Sequence, residues 1–124
     1  MAVLGIDFGT SNTAAGIAVN GAPYVIPLEP GEPTLPTAVF LDFDKRRTLY
    51  GRGAARAMME GQEGRFLRAL KSILGTPLAQ EKRQFLNEKL TLIEVIARFL
   101  AEIRSRAEAA TYQDFSHALS GRPV

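Results

Sequence analysis

The dipeptide Asn20-Gly21 stands between two apolar runs, AAGIAVN at 14–20 and APYVIPL at 22–28. Such a pair between strand-like runs is a strong short-range signal for a β-hairpin, because both central residues of its turn need positive φ and Asn and Gly tolerate it. A hairpin fixed there lays the two runs side by side and antiparallel. The preceding run, AVLGIDF at 2–8, reads as a further short buried strand. Asp7 and the residues up to Thr13 therefore fall at a turn joining two neighbouring strands.

That turn is chemically unusual. In LGIDFGTSNT, residues 4–13, an apolar run reaches a carboxylate, then a glycine, then small hydroxyl and amide side chains. Backbone N–H groups in a glycine-containing turn can converge on an anion, and small side chains leave room for phosphate oxygens. Gly9, Thr10, Ser11 and Asn12 supply that pattern, with two hydroxyls able to donate as well. Asp7 would repel phosphate, so its use beside such a cradle is to hold a divalent cation through water, as Mg²⁺ keeps most of its hydration shell. An ordinary turn, with Asp7 and Asn12 bonding to nearby backbone, accounts for the same residues, and at this point both readings stand. The GK[ST] ending of a Walker A loop is missing and a hairpin follows where a dinucleotide fingerprint would have a helix.

Further along, EPGEPTLPT at 29–37 is a proline-rich connection, 38–43 reads as a strand, 44–47 as a turn and TLYG at 48–51 as a short return strand. The alanine-rich stretch from Arg52, with Met58 and Met59, suits a helix ended by Gly61. RFLRALKSILG at 65–75 is looser and carries Lys71; QEKRQFLNEKL at 80–90 reads as partly helical. Thr91 and Glu94 fit a capping box, and Leu90, Ile93, Ile96, Ala97, Leu100, Ile103 and Ala107 make one apolar stripe, so a helix is expected over about 91–110. FSHALSGRPV at 115–124 looks like entry into another strand, which leads us to expect part of a longer protein.

The chain has 124 residues, the size of one domain with a real core. Its 15 Lys and Arg are interspersed with 13 Asp and Glu, so no field points to nucleic acid or to an anionic membrane. No apolar stretch approaches a membrane span, no N-terminal leader pattern is present, and the cytoplasm is the expected compartment. There is no cysteine, which excludes disulfides and thiolate chemistry. His117, the single histidine, reads as structural or surface, Met58 and Met59 as core filler or lobe contacts, and Arg65, Arg68, Lys82 and Arg83 as a solvated face.

Several segments together carry a resemblance. GIDFGTSNT resembles the first phosphate motif of the actin-like ATPases, above all the seventy-kilodalton heat-shock chaperones of the DnaK type. EPTLPTAVFLD resembles the proline-containing strand of that family, YGRGAARAMM its following helix, and LKSILG the segment with its catalytic lysine. SGRPV is similar to the divergent bacterial branch that includes YegD.

The resemblance implies an α/β fold: a ribonuclease H-like or actin-like ATPase lobe, a mixed sheet with N-terminal antiparallel hairpins and a long packing helix. Residues 1–124 would be its N-terminal part, incomplete at the C-terminal end. It implies ATP or ADP with Mg²⁺ as cofactors, Gly9, Thr10, Ser11 and Asn12 on the phosphates, Asp7 on the metal through water, and Lys71 as the catalytic lysine. In the parent protein the partners would be unfolded polypeptide and co-chaperones, with neither nucleic acid nor membrane. Half a cleft should bind nucleotide weakly and hydrolyse none, and exposed lobe surfaces should favour a homodimer. The alternative parent is a sugar or metabolite kinase, or a filament-forming ATPase, on the same core. One departure from the family is the short segment between Lys71 and the long helix, where additional strands are usual.

Overall fold

A computed structural model describes residues 3–115 and, for the backbone, 117–121. Strands β1 (Val3–Phe8), β2 (Asn12–Val19) and β3 (Ala22–Ile26) form an antiparallel meander, which β4 (Leu35–Pro36) extends along the start of β2. Asn20 and Gly21 have φ of 50° and 79°, the backbone that the hairpin signal requires. β10 (His117–Gly121) lies parallel to β1 on its other side, so the expected entry into a strand is observed over these residues. The side chain of His117 and all of residues 122–124 lie outside the described residues.

A second sheet is built from β5 (Ala38–Asp42), β6 (Arg47–Tyr50) and β7 (Gly64–Arg68), in the order β6-β5-β7. All residues of β5 are buried. Val39 and Leu41 face the main core, while Ala38 and Phe40 face α1 (Arg52–Met59) together with Ala54 and Ala57. A strand covered on both faces reads as a continuous apolar run, as AVFLD does. Gly64 stands where a Cβ would collide with the Leu41 carbonyl and the Phe40 ring.

α1 ends as the sequence predicts. Gly61 has φ of 72°, its N–H donates to the Met58 carbonyl, and Gln62 N–H donates to that of Ala57, a Schellman arrangement that satisfies the last carbonyls. Met58 and Met59 are exposed, Met59 at 80%, so they are not core filler: the buried face of this short helix is alanine, which lets it lie close to β5. At its start Gly51 has no side chain to offer, and Glu29 reaches over to accept the Arg52 N–H at 3.1 Å. Glu29 itself opens a turn in which Pro30 is followed by Gly31 at φ 73° and Glu32 N–H returns to the Glu29 carbonyl.

The segment between β7 and the long helix corrects the sequence reading. It contains two single 3-10 turns, Leu70–Ile73 and Pro77–Gln80, and then a hairpin, β8 (Lys82–Phe85) with β9 (Glu88–Thr91), where a partly helical stretch is expected. Leu86 occupies the turn at φ 55°, a backbone that leucine seldom adopts, and packs against the core. β7, whose residues 65–68 open the stretch read as looser, is an edge strand. Arg65 on that strand places its guanidinium 5.2 Å from the Phe85 ring centroid, so it ties the hairpin to the second sheet, whereas Arg68 and Lys82 are exposed.

α2 (Leu92–Thr111) runs for 20 residues from a complete capping box: Thr91 Oγ1 accepts the Glu94 N–H at 3.1 Å and Glu94 accepts that of Thr91 at 3.2 Å. The buried stripe is Leu92, Val95, Ile96, Phe99, Ile103 and Ala107. This corrects the phase expected from sequence, because Ile93 is 38% exposed and Ala97 is also exposed. The two stripes share Ile96, Ile103 and Ala107; turning Phe99 inward decides between them, since it is fully buried against Phe8 and Tyr50. The helix thereby packs side chains from both sheets into one core, at ~1.5 to 3 kcal/mol for each large apolar group fully covered. Among the described residues no helix is long and apolar enough to cross a membrane.

Candidate phosphate-binding loop

β1 alternates strictly: Leu4, Ile6 and Phe8 are buried, while Val3, Gly5 and Asp7 face outward. Asp7 is therefore exposed one step before the turn, in register with Ala14 on β2 and Gly121 on β10. It rims an open depression of about 990 Å³ whose floor is the small outward residues Gly5, Ala14 and Gly16.

Residues 9–12 form the turn itself. Gly9 N–H donates to the Asn12 carbonyl at 3.0 Å, and a Cβ at position 9 would collide with that same oxygen. Only glycine closes the loop this tightly. Thr10, Ser11 and Asn12 are exposed, and among the described residues the N–H groups of Thr10 and Ser11 donate to no protein acceptor. Unpaired amides flanked by hydroxyls on an open turn are the donor set that an oxyanion needs.

Two threonines to which the sequence reading gave no role hold this loop. Thr13 and Thr37 are 0% and 2% exposed, with their hydroxyls 2.7 Å apart. Thr37 Oγ1 donates to the Gly9 carbonyl at 2.9 Å, and Thr37 N–H donates to the Ser11 carbonyl at 2.9 Å. Since the Thr37 proton goes to Gly9, Thr13 is the donor in the hydroxyl pair. The signal for Thr13 lay in its place one residue past the turn on the buried face; nothing local announces Thr37, 28 residues beyond Gly9.

Lys71 comes from another part of the fold. It is half-buried in the 3-10 turn at Leu70–Ile73, just past β7, and the turn is entered through Ala69 at φ 54°. Ser72 fixes that turn, its N–H and hydroxyl both donating to the Ala69 carbonyl. No hydrogen bond or ion pair among the described residues joins Lys71 to Asp7 or to the loop. Gly9, Thr10, Ser11 and Asn12 are thus brought together with Asp7 at their base, and Lys71 is supplied by a separate element, the 3-10 turn after β7.

Among the described residues no group of three His, Cys, Asp or Glu side chains is disposed to hold a metal. A single exposed carboxylate such as Asp7 suits a hydrated Mg²⁺ whose remaining ligands are water and phosphate.

The site is a glycine-closed hairpin loop with two amides that meet no acceptor among the described residues, set in a mixed α/β frame of antiparallel sheets and one long helix. The model of the Hsp70 protein family matches residues 3–121, and the chain belongs to that family. It is 31% identical over 106 residues to the chaperone protein DnaK of Ureaplasma urealyticum, covering 86% of this chain and 16% of the relative. It is 31% identical over 126 residues to the DnaK of Methanothermobacter thermautotrophicus, and 32% identical over 126 residues to that of Thermoplasma acidophilum; each alignment covers 98% of this chain and 20% of the relative. The chain therefore spans about a sixth to a fifth of the length of these relatives.

Proposed function

We propose that this chain is the N-terminal part of an actin-like nucleotide-binding domain, in an ATP-dependent chaperone, and that the loop at 9–12 holds nucleotide phosphates. The observation that carries the reading is the pair of amides at Thr10 and Ser11, unpaired among the described residues, on a loop that needs glycine at position 9 to close. The hydroxyls of Thr10 and Ser11 and the side chain of Asn12 would add donors around the same anion, and Asp7 would hold Mg²⁺ through water. When bound, the metal neutralises phosphate charge. Lys71, a compact cation on a flexible stem, would orient the attacking water or a γ-phosphate oxygen once the loop and the 3-10 turn close on nucleotide. The Hsp70 family match and the DnaK relatives favour this reading over a kinase or a filament-forming ATPase.

In the whole protein the partners would be nucleotide, unfolded polypeptide and co-chaperones, in the cytoplasm. A nucleic-acid or membrane partner has little support, since the 15 Lys and Arg are interspersed with 13 Asp and Glu and several, Arg52, Arg98 and Arg106 among them, are engaged with carboxylates. The test is titration calorimetry with MgATP. The full-length protein should bind, and Gly9→Val should abolish binding; this chain alone, with few of the contacts that hold ATP, should bind weakly or undetectably and hydrolyse none. Binding by full-length Gly9→Val equal to that of the unaltered protein would sink the loop assignment.

The chain alone would also pair with a second copy at high concentration, through the outward face of the first sheet, where Val3, Ala18 and Val25 are exposed. The β3 edge is a poor route: Val19 and Ala22 are the bonded pair that closes the hairpin, so Pro23, Val25 and Pro27 turn their backbone outward, and both prolines lack an N–H. Light scattering should show dimer growing with concentration and suppressed by Val25→Lys; a clean monomer throughout would refute this.

A further inference from the structure

We propose that Thr37 is a positioning residue for the loop at 9–12, setting the direction in which the loop's amide groups point; its consequence for nucleotide rests on the phosphate reading above. The argument is one of peptide geometry. In a planar trans peptide the C=O of one residue and the N–H of the next point in opposite directions. The hydroxyl of Thr37 fixes the Gly9 carbonyl, so the Thr10 N–H is aimed away from the core. The backbone N–H of Thr37 fixes the Ser11 carbonyl, so the Asn12 N–H is aimed away from β4. One residue thus clamps two peptide planes of a four-residue loop, at donor-acceptor distances of 2.9 Å each.

The clamp is itself held. Thr37 is 2% exposed, and Thr13, fully buried beside it, donates to the Thr37 oxygen and so leaves the Thr37 proton only Gly9 to serve. A hydroxyl in that position is the minimum requirement: serine keeps the donor, valine keeps the shape and loses it. With valine the Gly9 carbonyl and the Thr13 hydroxyl both lose a partner, and the peptide joining Gly9 to Thr10 is free to turn.

The experiment compares Thr37→Val with Thr37→Ser by amide hydrogen exchange in this chain and by MgADP calorimetry in the full-length protein. The reporters of the clamp are the N–H groups of Gly9 and Thr37, both bonded across the loop, and the reference is that of Phe99 in α2. Thr37→Val should speed exchange at the two loop amides by about tenfold, the loss of one hydrogen bond of ordinary strength, with Phe99 unchanged. Thr37→Ser should restore the slow rates, and MgADP affinity should follow the same order. Loop exchange equally slow in Thr37→Val overturns the proposal, as does equal acceleration at Phe99, which would make Thr37 a general stability residue. If the exchange pattern appears while the unaltered full-length protein binds no MgADP, the clamp stands and the phosphate reading falls.

Discussion

Asp42 is 1% exposed at the end of β5, and its Oδ1 accepts the N–H groups of Asp44 at 3.1 Å and Lys45 at 3.0 Å, closing the turn into β6. Arg47 stands across the turn, its Nε 3.5 Å from Oδ2. The Lys45 N–H above all holds this carboxyl below its ordinary pKa; burial opposes that, and the Asp44 N–H and Arg47 add to it. A carboxyl depressed by folding contributes stability above its unfolded pKa, near 4, and that contribution is lost as pH falls through the folded value. Asp42→Asn should therefore lower the urea midpoint at pH 6, and the gap to the unaltered chain should close toward pH 3. A gap constant across that range would show that the charge contributes nothing. The sequence was legible here only in part: 44–47 reads as a turn, but Asp42 reads as one more strand residue, since its role lies in bonds to backbone two and three residues ahead.

At the scale of elements, what was legible followed from local chemistry. Asn20-Gly21, Gly61 and the Thr91/Glu94 box each work through bonds within a few residues, and each appears where the sequence puts it. What was illegible depended on packing. The hairpin β8–β9 turns on Leu86 and Asn87, without glycine, because Leu86 gains core contact that offsets its backbone strain. The phase of α2 was likewise undetermined, since two overlapping stripes satisfy the same helical period and only the space beside Phe8 and Tyr50 selects Phe99. Thermal and urea denaturation can separate the two phases. Phe99→Ala should cost about 3 to 5 kcal/mol, and Ile93→Ala about 0.5 or less. Comparable losses at both positions would contradict the observed stripe.

At the scale of the molecule, the connection between β3 and β4, α1 and α2 meet on one carboxylate. Glu29 Oε1 accepts from the Arg52 guanidinium at 2.7 Å; its Oε2 accepts the Arg52 N–H at 3.1 Å and the Arg106 guanidinium at 3.2 Å. Arg52 also reaches the Thr34 carbonyl, and Arg106 reaches Glu102 on its own helix. None of this is visible in the sequence, where Glu29 sits in a proline-rich connection and Arg106 follows 77 residues later. The Glu29 side chain is 12% exposed, so its bonds are less screened than those of a surface pair. Glu29→Ala removes one bond from each of two guanidiniums, which keep Thr34 and Glu102, and the acceptor of the first amide of α1; it should cost about 1.5 to 3 kcal/mol, the range for hydrogen bonds to a charged group. Glu29→Gln keeps an acceptor for the α1 amide but not the charge, and should fall between. The decisive measurement is a double-mutant cycle with Arg52→Ala, read by urea denaturation. A coupling of about 1 kcal/mol or more is expected for partners in direct contact. A coupling near zero would mean that the loop and the helices are held by apolar packing alone, with the ion pairs adding nothing to their mutual placement.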